Sequence, residues 1–435
     1  MKRLVVLLLA VLPLCARAQE NAFSVDADYL SRGELRYGGI AVTEDGDALS
    51  SRFIIGRTRI GASYSRSGLS ARLTAQHAGT WGSSEGSNLS IFEAWAQLNT
   101  VHGFFVKVGR QPLSYDDQRI FGSDDWSMTG ISHDGLKLGF EGGGHKVHLF
   151  GAYNQDVANI ANGGTRFSGG IQPYKSLATV WYHYEIPKFP LGASLLFANI
   201  GQQGVVSTDS RDEIEDDNLT YFQQLAGAFV SWHPKRWGVE AAYYHQWGKV
   251  DTGIPLNAWM ASVKATAAPS GHWAFQAGYD YLSGEEDFAT PSGGMIGLVH
   301  HDVVRGFNSL YGSKHKFYGA MDFFYVSTYF NGFTPGLQNL YAGLTWKPVE
   351  QLTADASYHF LSTAAPLHDA KKALGHEVEL SVSWTIAPSV SLSAGYSFMQ
   401  GTETMAVLKR SSNNNRLRWG WLMLRITPKF FSTKW

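Results

Sequence analysis

Apart from Cys15, the 435-residue chain contains no cysteine. That absence excludes a disulfide framework and a thiolate metal site from everything beyond the N-terminal segment. Long hydrophobic runs are missing too. Past the first residues, no window approaches the roughly 18 uncharged apolar residues that a spanning helix needs. Charge of one sign is also lacking: 36 Lys and Arg face 37 Asp and Glu, for a formal net charge of -1. The bulk electrostatic attraction that nucleic-acid binding relies on is therefore absent, and only the distribution of charge can carry information.

What is present begins with an export signal. Lys2 and Arg3 precede an apolar run from Leu4 to Leu14, and Ala16-Arg17-Ala18 puts small residues where a signal peptidase reads. Cleavage near Ala18 leaves 19–435 as a single domain. Acylation at Cys15 is the weaker reading, because Leu14 is too large for a good lipoprotein cleavage site.

The mature chain then repeats one device, about ten residues of alternating apolar and polar side chains followed by a turn. Gly68-Leu69-Ser70-Ala71-Arg72-Leu73-Thr74-Ala75-Gln76 alternates, as do Leu352 to Phe360, Val378 to Trp384 and Val390 to Tyr396. A period of two puts the two kinds of side chain on opposite faces of a strand. Tryptophans fall near segment ends, at Trp81, Trp95, Trp181, Trp232, Trp237, Trp247, Trp273, Trp346 and Trp384. Aromatic girdles at two membrane interfaces need this placement. The fold expected is all-β, a transmembrane antiparallel barrel in a Gram-negative outer membrane.

Connection lengths support it. Short turns at 66–68, 99–103, 142–144, 187–190, 234–235, 268–271, 347–351 and 387–388 alternate with long polar stretches at 38–51, 82–89, 112–133, 155–174, 201–217, 251–255, 284–312, 362–374 and 400–414. Short periplasmic turns and long extracellular loops produce this rhythm. Every plausible segment counted gives about nineteen strands, whereas a bacterial barrel with both termini in the periplasm needs an even number. The stretch from Lys314 to Val326, with its basic start, breaks the alternation. Assigned to a loop that folds over or into the lumen, it leaves about eighteen strands. The last strand runs from Asn415 through Leu424, with Phe430, Phe431 and Trp435 as a terminal aromatic assembly signal interrupted by Pro428 and Lys429.

Several patches carry a resemblance. Val108-Gly109-Arg110-Gln111-Pro112-Leu113, then Asp116-Asp117-Gln118-Arg119 and Asp134-Gly135-Leu136, resemble the Gly-Arg-Gln and paired-acid signature of the alginate-export porin family. Tyr279 to Asp287, Leu310 to Asp322 and Leu340 to Leu344 resemble later patches of that family in the same order. The resemblance spans most of the mature chain. It implies an eighteen-stranded barrel with loops folded into the pore, and export of an alginate-type polyuronate.

The alternation also sorts charges. Arg57, Arg59, Arg72, Lys107 and Lys137 fall on the wet face, opposite Ile54, Ile60, Leu73, Val106, Val108, Leu136 and Leu138. They make one cationic wall of pore-lining residues, which Arg36, Arg119 and Lys264 can extend. Arg110 joins it only if Gly109 bulges the strand, since its parity is otherwise outward. Inward acids are Asp26, Asp28, Glu93, Glu240, Asp280, Asp355, Glu377 and Glu379. Most of these lie on later strands, so a field across the pore is expected. Asp116 and Asp117 read as constriction-loop anchors that pair with Arg110 and Arg119. For each inward arginine, solute contact and a structural partnership in a lumenal ladder stand as equal readings.

Catalysis finds little support. His300-His301-Asp302 lacks a nearby nucleophile, Ser292 and Ser309 carry no motif, and adjacent histidines on a loop point apart. Asp212, Glu213, Glu215 and Asp216 read as a solvated acidic loop in preference to a calcium site. An outer-membrane enzyme and a soluble β carbohydrate-binding domain remain as alternatives of other classes, and the loop asymmetry argues against the second. The expected function is passive diffusion of anionic or sugar-like solutes, up to an alginate-type polymer. The alternative is a substrate-specific porin for uptake of small carboxylated nutrients. No enzymatic activity, cofactor, metal or nucleic-acid partner is expected, and a monomer in contact with outer-membrane lipid is favoured.

Overall fold

The computed structural model describes residues 21–37, 50–100, 102–157, 165–167, 169, 172–207, 213–285, 288–289, 302–324, 334–368, 370–408 and 416–435. The export signal, most of the 38–51 connection, Asp209 and Asp212, and Ser292, His300 and His301 lie outside them.

Eighteen antiparallel strands form one closed sheet. They are β1 (Ala22–Tyr37), β2 (Ser50–Arg66), β3 (Leu69–Thr80), β4 (Asn88–Asn99), β5 (Phe104–Gln111) and β6 (His133–Gly142). Then follow β7 (His145–Tyr153), β8 (Ser176–Glu185), β9 (Leu191–Ser207), β10 (Glu213–Trp232), β11 (Trp237–Lys249) and β12 (Pro255–Ala267). The last are β13 (Trp273–Leu282), β14 (Leu337–Val349), β15 (Leu352–Ser362), β16 (Ala373–Ala387), β17 (Val390–Gly401) and β18 (Arg416–Ile426). Each pairs with the next, and β18 closes on β1 with Tyr29 opposite Ile426 and Tyr37 opposite Arg418. Closure removes the exposed strand edges that an open sheet would present to lipid.

The interruption at Pro428 does not end the sheet. The chain resumes as Lys429–Lys434 and pairs with the start of β1, Ala22 opposite Lys434, after a register shift between Val25 and Asp26. Phe431 packs on Phe23 at a ring separation of 6.3 Å. The terminal aromatics therefore sit on the barrel, next to the N-terminal strand.

Alternation sorts the faces as the sequence requires. Ile54, Ile60, Leu73, Val108 and Leu136 are exposed on the outer surface, while Arg57, Arg59, Thr74, Gln76 and Lys137 at the intervening positions are buried. Trp81, Trp232, Trp237, Trp247, Trp273, Trp346 and Trp384 are exposed too, consistent with interface girdles. Trp181 departs from that expectation: it is buried inside, stacked on Tyr115. Trp95 also turns inward, beneath the Lys107 ammonium.

The stretch from Lys314 is a loop, as strand parity demands. Lys314–Lys316 form a single 3-10 turn, and Tyr318, Met321, Phe323 and Phe324 are buried in the interior. Tyr325 and Val326 lie outside the described residues. The buried core of this protein is thus not within the wall. It lies in the lumen, where loop side chains such as Leu113, Ile120, Phe121 and Tyr311 pack together and against inward residues of the strands.

Candidate functional site

Two of the described connections meet inside the barrel. The first, residues 112–132, follows β5, and the second lies between β13 and β14, described at 302–324. The first loop is tied to the wall at two ends. Asp116 accepts from Trp181 Nε1 of β8 at 3.1 Å and Tyr244 OH of β11 at 3.3 Å. Burial pushes its carboxyl above the ordinary range, and the donors Ser194, Trp181 and Tyr244 only partly offset this. Asp117 accepts from the Arg119 backbone N–H and from its guanidinium, both at 3.0 Å. Arg119 also lies 3.1 Å from Asp280 of β13 and donates to Tyr318 OH at 3.0 Å. Burial works against that guanidinium, but Asp280, Tyr318 and Asp117 hold it charged more firmly than an ordinary arginine.

At the loop's far end Asp125 meets a cluster of arginines. Its carboxylate lies 2.9 Å from Arg59, 3.1 Å from Arg57 and 2.9 Å from Arg425 of β18. Arg57 also donates to the Asp125 and Ser127 carbonyls and to Asp28, at 2.9, 3.1 and 2.9 Å. Arg59 stacks over Phe92, 3.7 Å from the ring centre, and donates to Gln76 at 2.7 Å. Phe92 reaches this position through a bulge in β4, where Thr74 pairs with Glu93 and Ala75 with Ile91. Arg72 is bound by Asp26 at 2.9 Å and Glu93 at 3.1 Å.

The second loop docks on the first. Phe121 and Tyr311 form a parallel bridge, Gly122 N–H donates to the Tyr311 carbonyl at 2.9 Å, and Ser313 Oγ donates to Gln118 at 2.9 Å. On the opposite wall, Met321 N–H donates to Glu377 at 2.8 Å and Ala320 N–H to Glu379. Gly319 makes this approach possible. Its φ is +94°, and a Cβ there would stand 2.4 Å from a Glu377 oxygen. Trp126 of the first loop is sandwiched between Arg32, 3.9 Å away, and His315 of the second, whose ring is parallel at 4.0 Å. Bridged to each other and fastened to both walls, the loops form a plug that fills part of the lumen.

Beneath the plug, toward the short turns, cavities lie among the described residues. One of about 270 Å³ is walled by Glu240, Lys264, Asp280, Lys316, Tyr341 and Glu379 among others. Another, of about 400 Å³, is lined by Gln97, Asn99, Phe105, Lys107, Lys137 and His148 among others.

The sequence-derived residues fare differently in this arrangement. Arg57, Arg59 and Arg72 are on the lumenal face, but each is engaged by carboxylates, so the expected cationic wall is largely neutralised. Asp116, Asp117 and Arg119 belong to the inward loop, and Asp117 pairs with Arg119. The expected Asp116–Arg110 pairing does not form. Arg110 keeps its outward parity and binds Asp134 of β6 through two hydrogen bonds of 2.8 and 2.7 Å. Gly109 has a φ of +112°, but β5 keeps its register, with Trp95 opposite Gly109 and Ala94 opposite Arg110; the bulge lies in β4 instead. Arg110 is therefore not a pore-lining residue. Lysines 107 and 137 face the lumen as the alternation requires. Lys264 does as well, paired with Glu240, and Arg36 pairs with Glu34 at 2.9 Å.

Sequence reading missed Asp125, Trp126 and Arg425. Arg425 carries a usable signal: it continues the alternation of β18 on the inward side, opposite Leu30. Asp125 carries none, because nothing local in a loop announces which wall it will meet.

No protein-family model and no curated protein matches the sequence. Solved structures do match in fold. Pseudomonas aeruginosa OccK2 (OpdF) aligns with a TM-score of 0.61 at 12% identity, over 94% of this chain and 98% of that one. A BenF-like porin from Pseudomonas fluorescens Pf-5 aligns at 0.60 and 14%, over 94% and 99%. Pseudomonas aeruginosa OccK5 (OpdH) aligns at 0.59 and 11%, over 95% and 99%. None of these likenesses backs the alginate-export resemblance. What they share with this chain is architecture from end to end, and the fold is that of an eighteen-stranded outer-membrane porin.

Proposed function

We propose that this chain, after removal of residues 1–18, is a channel of the Gram-negative outer membrane through which small carboxylated solutes diffuse, with no covalent step and no cofactor. The observation that supports this reading is the plug. Two loops meet inside the barrel through the Phe121 and Tyr311 bridge, and two cavities beside the wall among the described residues measure about 270 and 400 Å³. Spaces of that size suit one small organic molecule. A polyuronate would need an uninterrupted cationic track, and the arginines that could have made one are bound to Asp26, Asp28, Glu93 and Asp125. Small-solute uptake is thus favoured over polymer export. Direction follows the concentration gradient.

Planar-bilayer recording of the purified protein tests the proposal. The expected result is a steady ion conductance with a reversal potential displaced toward anions, and reduced current in the presence of small carboxylates. Block by oligouronate at lower concentration than by any small carboxylate would restore the polymer reading. A protein that passes no ions under any voltage would overturn the channel itself.

A further inference from the structure

Nearly every lumenal cation discussed above has a carboxylate, or, for Lys316, the Asp117 carbonyl. Two among the described residues have neither. Lys107 on β5 and Lys137 on β6 stand directly opposite one another in register, on the lumenal face. Among the described residues neither ammonium has an ion pair or a hydrogen bond. Each rests on an aromatic ring instead. Lys107 Nζ lies 3.5 Å from the centre of the Trp95 ring, and Lys137 Nζ lies 5.6 Å from that of Tyr115. Lys137 is only 8% exposed.

The neighbouring acids are already engaged. Glu93 accepts from Arg72 and from Trp95 Nε1, at 3.1 and 2.9 Å. Glu141 lies 3.1 Å from His148 Nε2. On the next strand Lys146, opposite Glu141, adds a further positive charge at the rim. Like charges directly opposite on a sheet repel, and a buried ammonium is costly without a counter-charge. Contact with a ring face recovers part of that cost and leaves the remaining N–H donors unused. Both lysines border the cavity of about 400 Å³, beside the amides of Gln97 and Asn99. The cavity adjoins Thr100 and Gly103 of the β4–β5 turn, so it opens toward the short-turn end.

We propose that Lys107 and Lys137 form a binding subsite for a small doubly charged oxyanion, a dicarboxylate or inorganic phosphate, at the periplasmic end of the lumen. The subsite rests on the channel reading and deepens it. The loop-bound arginines hold the plug, and the lysine pair holds solute. An anion that has passed the plug is retained by two ammonium groups and released into the periplasm as its hydration there competes.

The test is channel block in bilayers with the protein in one known orientation, using succinate, inorganic phosphate and singly charged acetate as probes. Succinate or phosphate is expected to block at lower concentration from the short-turn side than from the loop side, and acetate more weakly than either. In Lys107→Met/Lys137→Met the half-blocking concentration of the dianion should rise at least tenfold, with open-channel conductance in potassium chloride retained. Arg110→Gln, on the outer face, should block like wild type. Whichever dianion blocks at lower concentration identifies the oxyanion source. Equal block from both sides of the wild type, or unchanged block in the double variant, would overturn the subsite and leave the channel reading standing. Absence of any wild-type conductance would instead remove the channel. Should the double variant fail to assemble, the single variants Lys107→Gln and Lys137→Gln and the sidedness of the wild type decide the matter.

Discussion

The Asp125 carboxylate lies 2.9 Å from the Arg59 guanidinium, and that contact joins a loop inside the barrel to the barrel's wall. Asp28 on β1 and Arg425 on β18 flank it, with Arg425 donating to Asp28 at 2.9 and 2.8 Å. The cluster therefore lies across the seam where the last strand closes on the first. One loop residue thereby couples plug position to barrel closure.

Asp125→Asn should loosen the plug without unfolding the barrel. The Asp125 side chain is 43% exposed, so after solvent screening its pairs contribute about 1 kcal/mol or less. Open-channel current noise is expected to rise several-fold, with little change in the temperature at which the barrel unfolds. Unchanged noise would show that Asp116 and the second loop suffice to hold the plug.

Replacing Arg57 by alanine should be far more damaging. Its side chain is fully buried, and removal leaves Asp28 and two loop carbonyls short of a donor. Loss of one partner from a buried pair typically costs about 3–5 kcal/mol. Because Arg425 still binds Asp28 and Asp125, the cost here lies toward the low end of that range. The unfolding temperature, followed by the change in electrophoretic mobility on heating, should fall by more than it does for Asp125→Asn.

Acid should tighten the first loop. The Asp116 carboxyl is held above its ordinary 3.8 chiefly by burial. A group raised on folding contributes its full stabilisation below its unfolded pKa and loses it as pH rises through the folded one. As pH rises from below the ordinary carboxylate range toward neutrality, wild-type current noise should therefore increase. Asp116→Asn, which keeps an acceptor for Trp181 but cannot ionise, should remain quiet throughout. A variant that tracks the wild-type profile would place the titration elsewhere.

Arg110→Gln should leave ion selectivity unaltered, since the side chain is on the outer face and bound to Asp134. Reversal potentials under a salt gradient are expected to match wild type, and stability to fall by about 1 kcal/mol at most. A shift toward cations would mean that the guanidinium reaches the permeation path.

Much of the fold is legible in the alternation because a strand's geometry makes it so. Leu73 and Arg72 must point opposite ways in any strand, and a lipid exterior decides which of them faces out. Parity then expels the stretch starting at Lys314 from the wall, and the structure finds it in the lumen. Arg110 is a useful counterexample to reading motifs over periodicity. Its place in a Gly-Arg-Gln patch suggested the pore, while its parity indicated the lipid side, and parity is what the β5 register obeys.

Chain sequence by itself thus determined strand number, facing and the ends at which long and short connections lie, because all three follow from a period of two and from turn length. Only the tertiary structure decided which charges remain available. Arg59 and Lys107 are indistinguishable by alternation, yet Asp125 arrives beside one from sixty-odd positions away in the chain, while the other meets the Trp95 ring and, among the described residues, no carboxylate. Such pairing depends on where a loop with no periodicity comes to rest, and that is settled by packing inside the lumen, through contacts such as Phe121 with Tyr311.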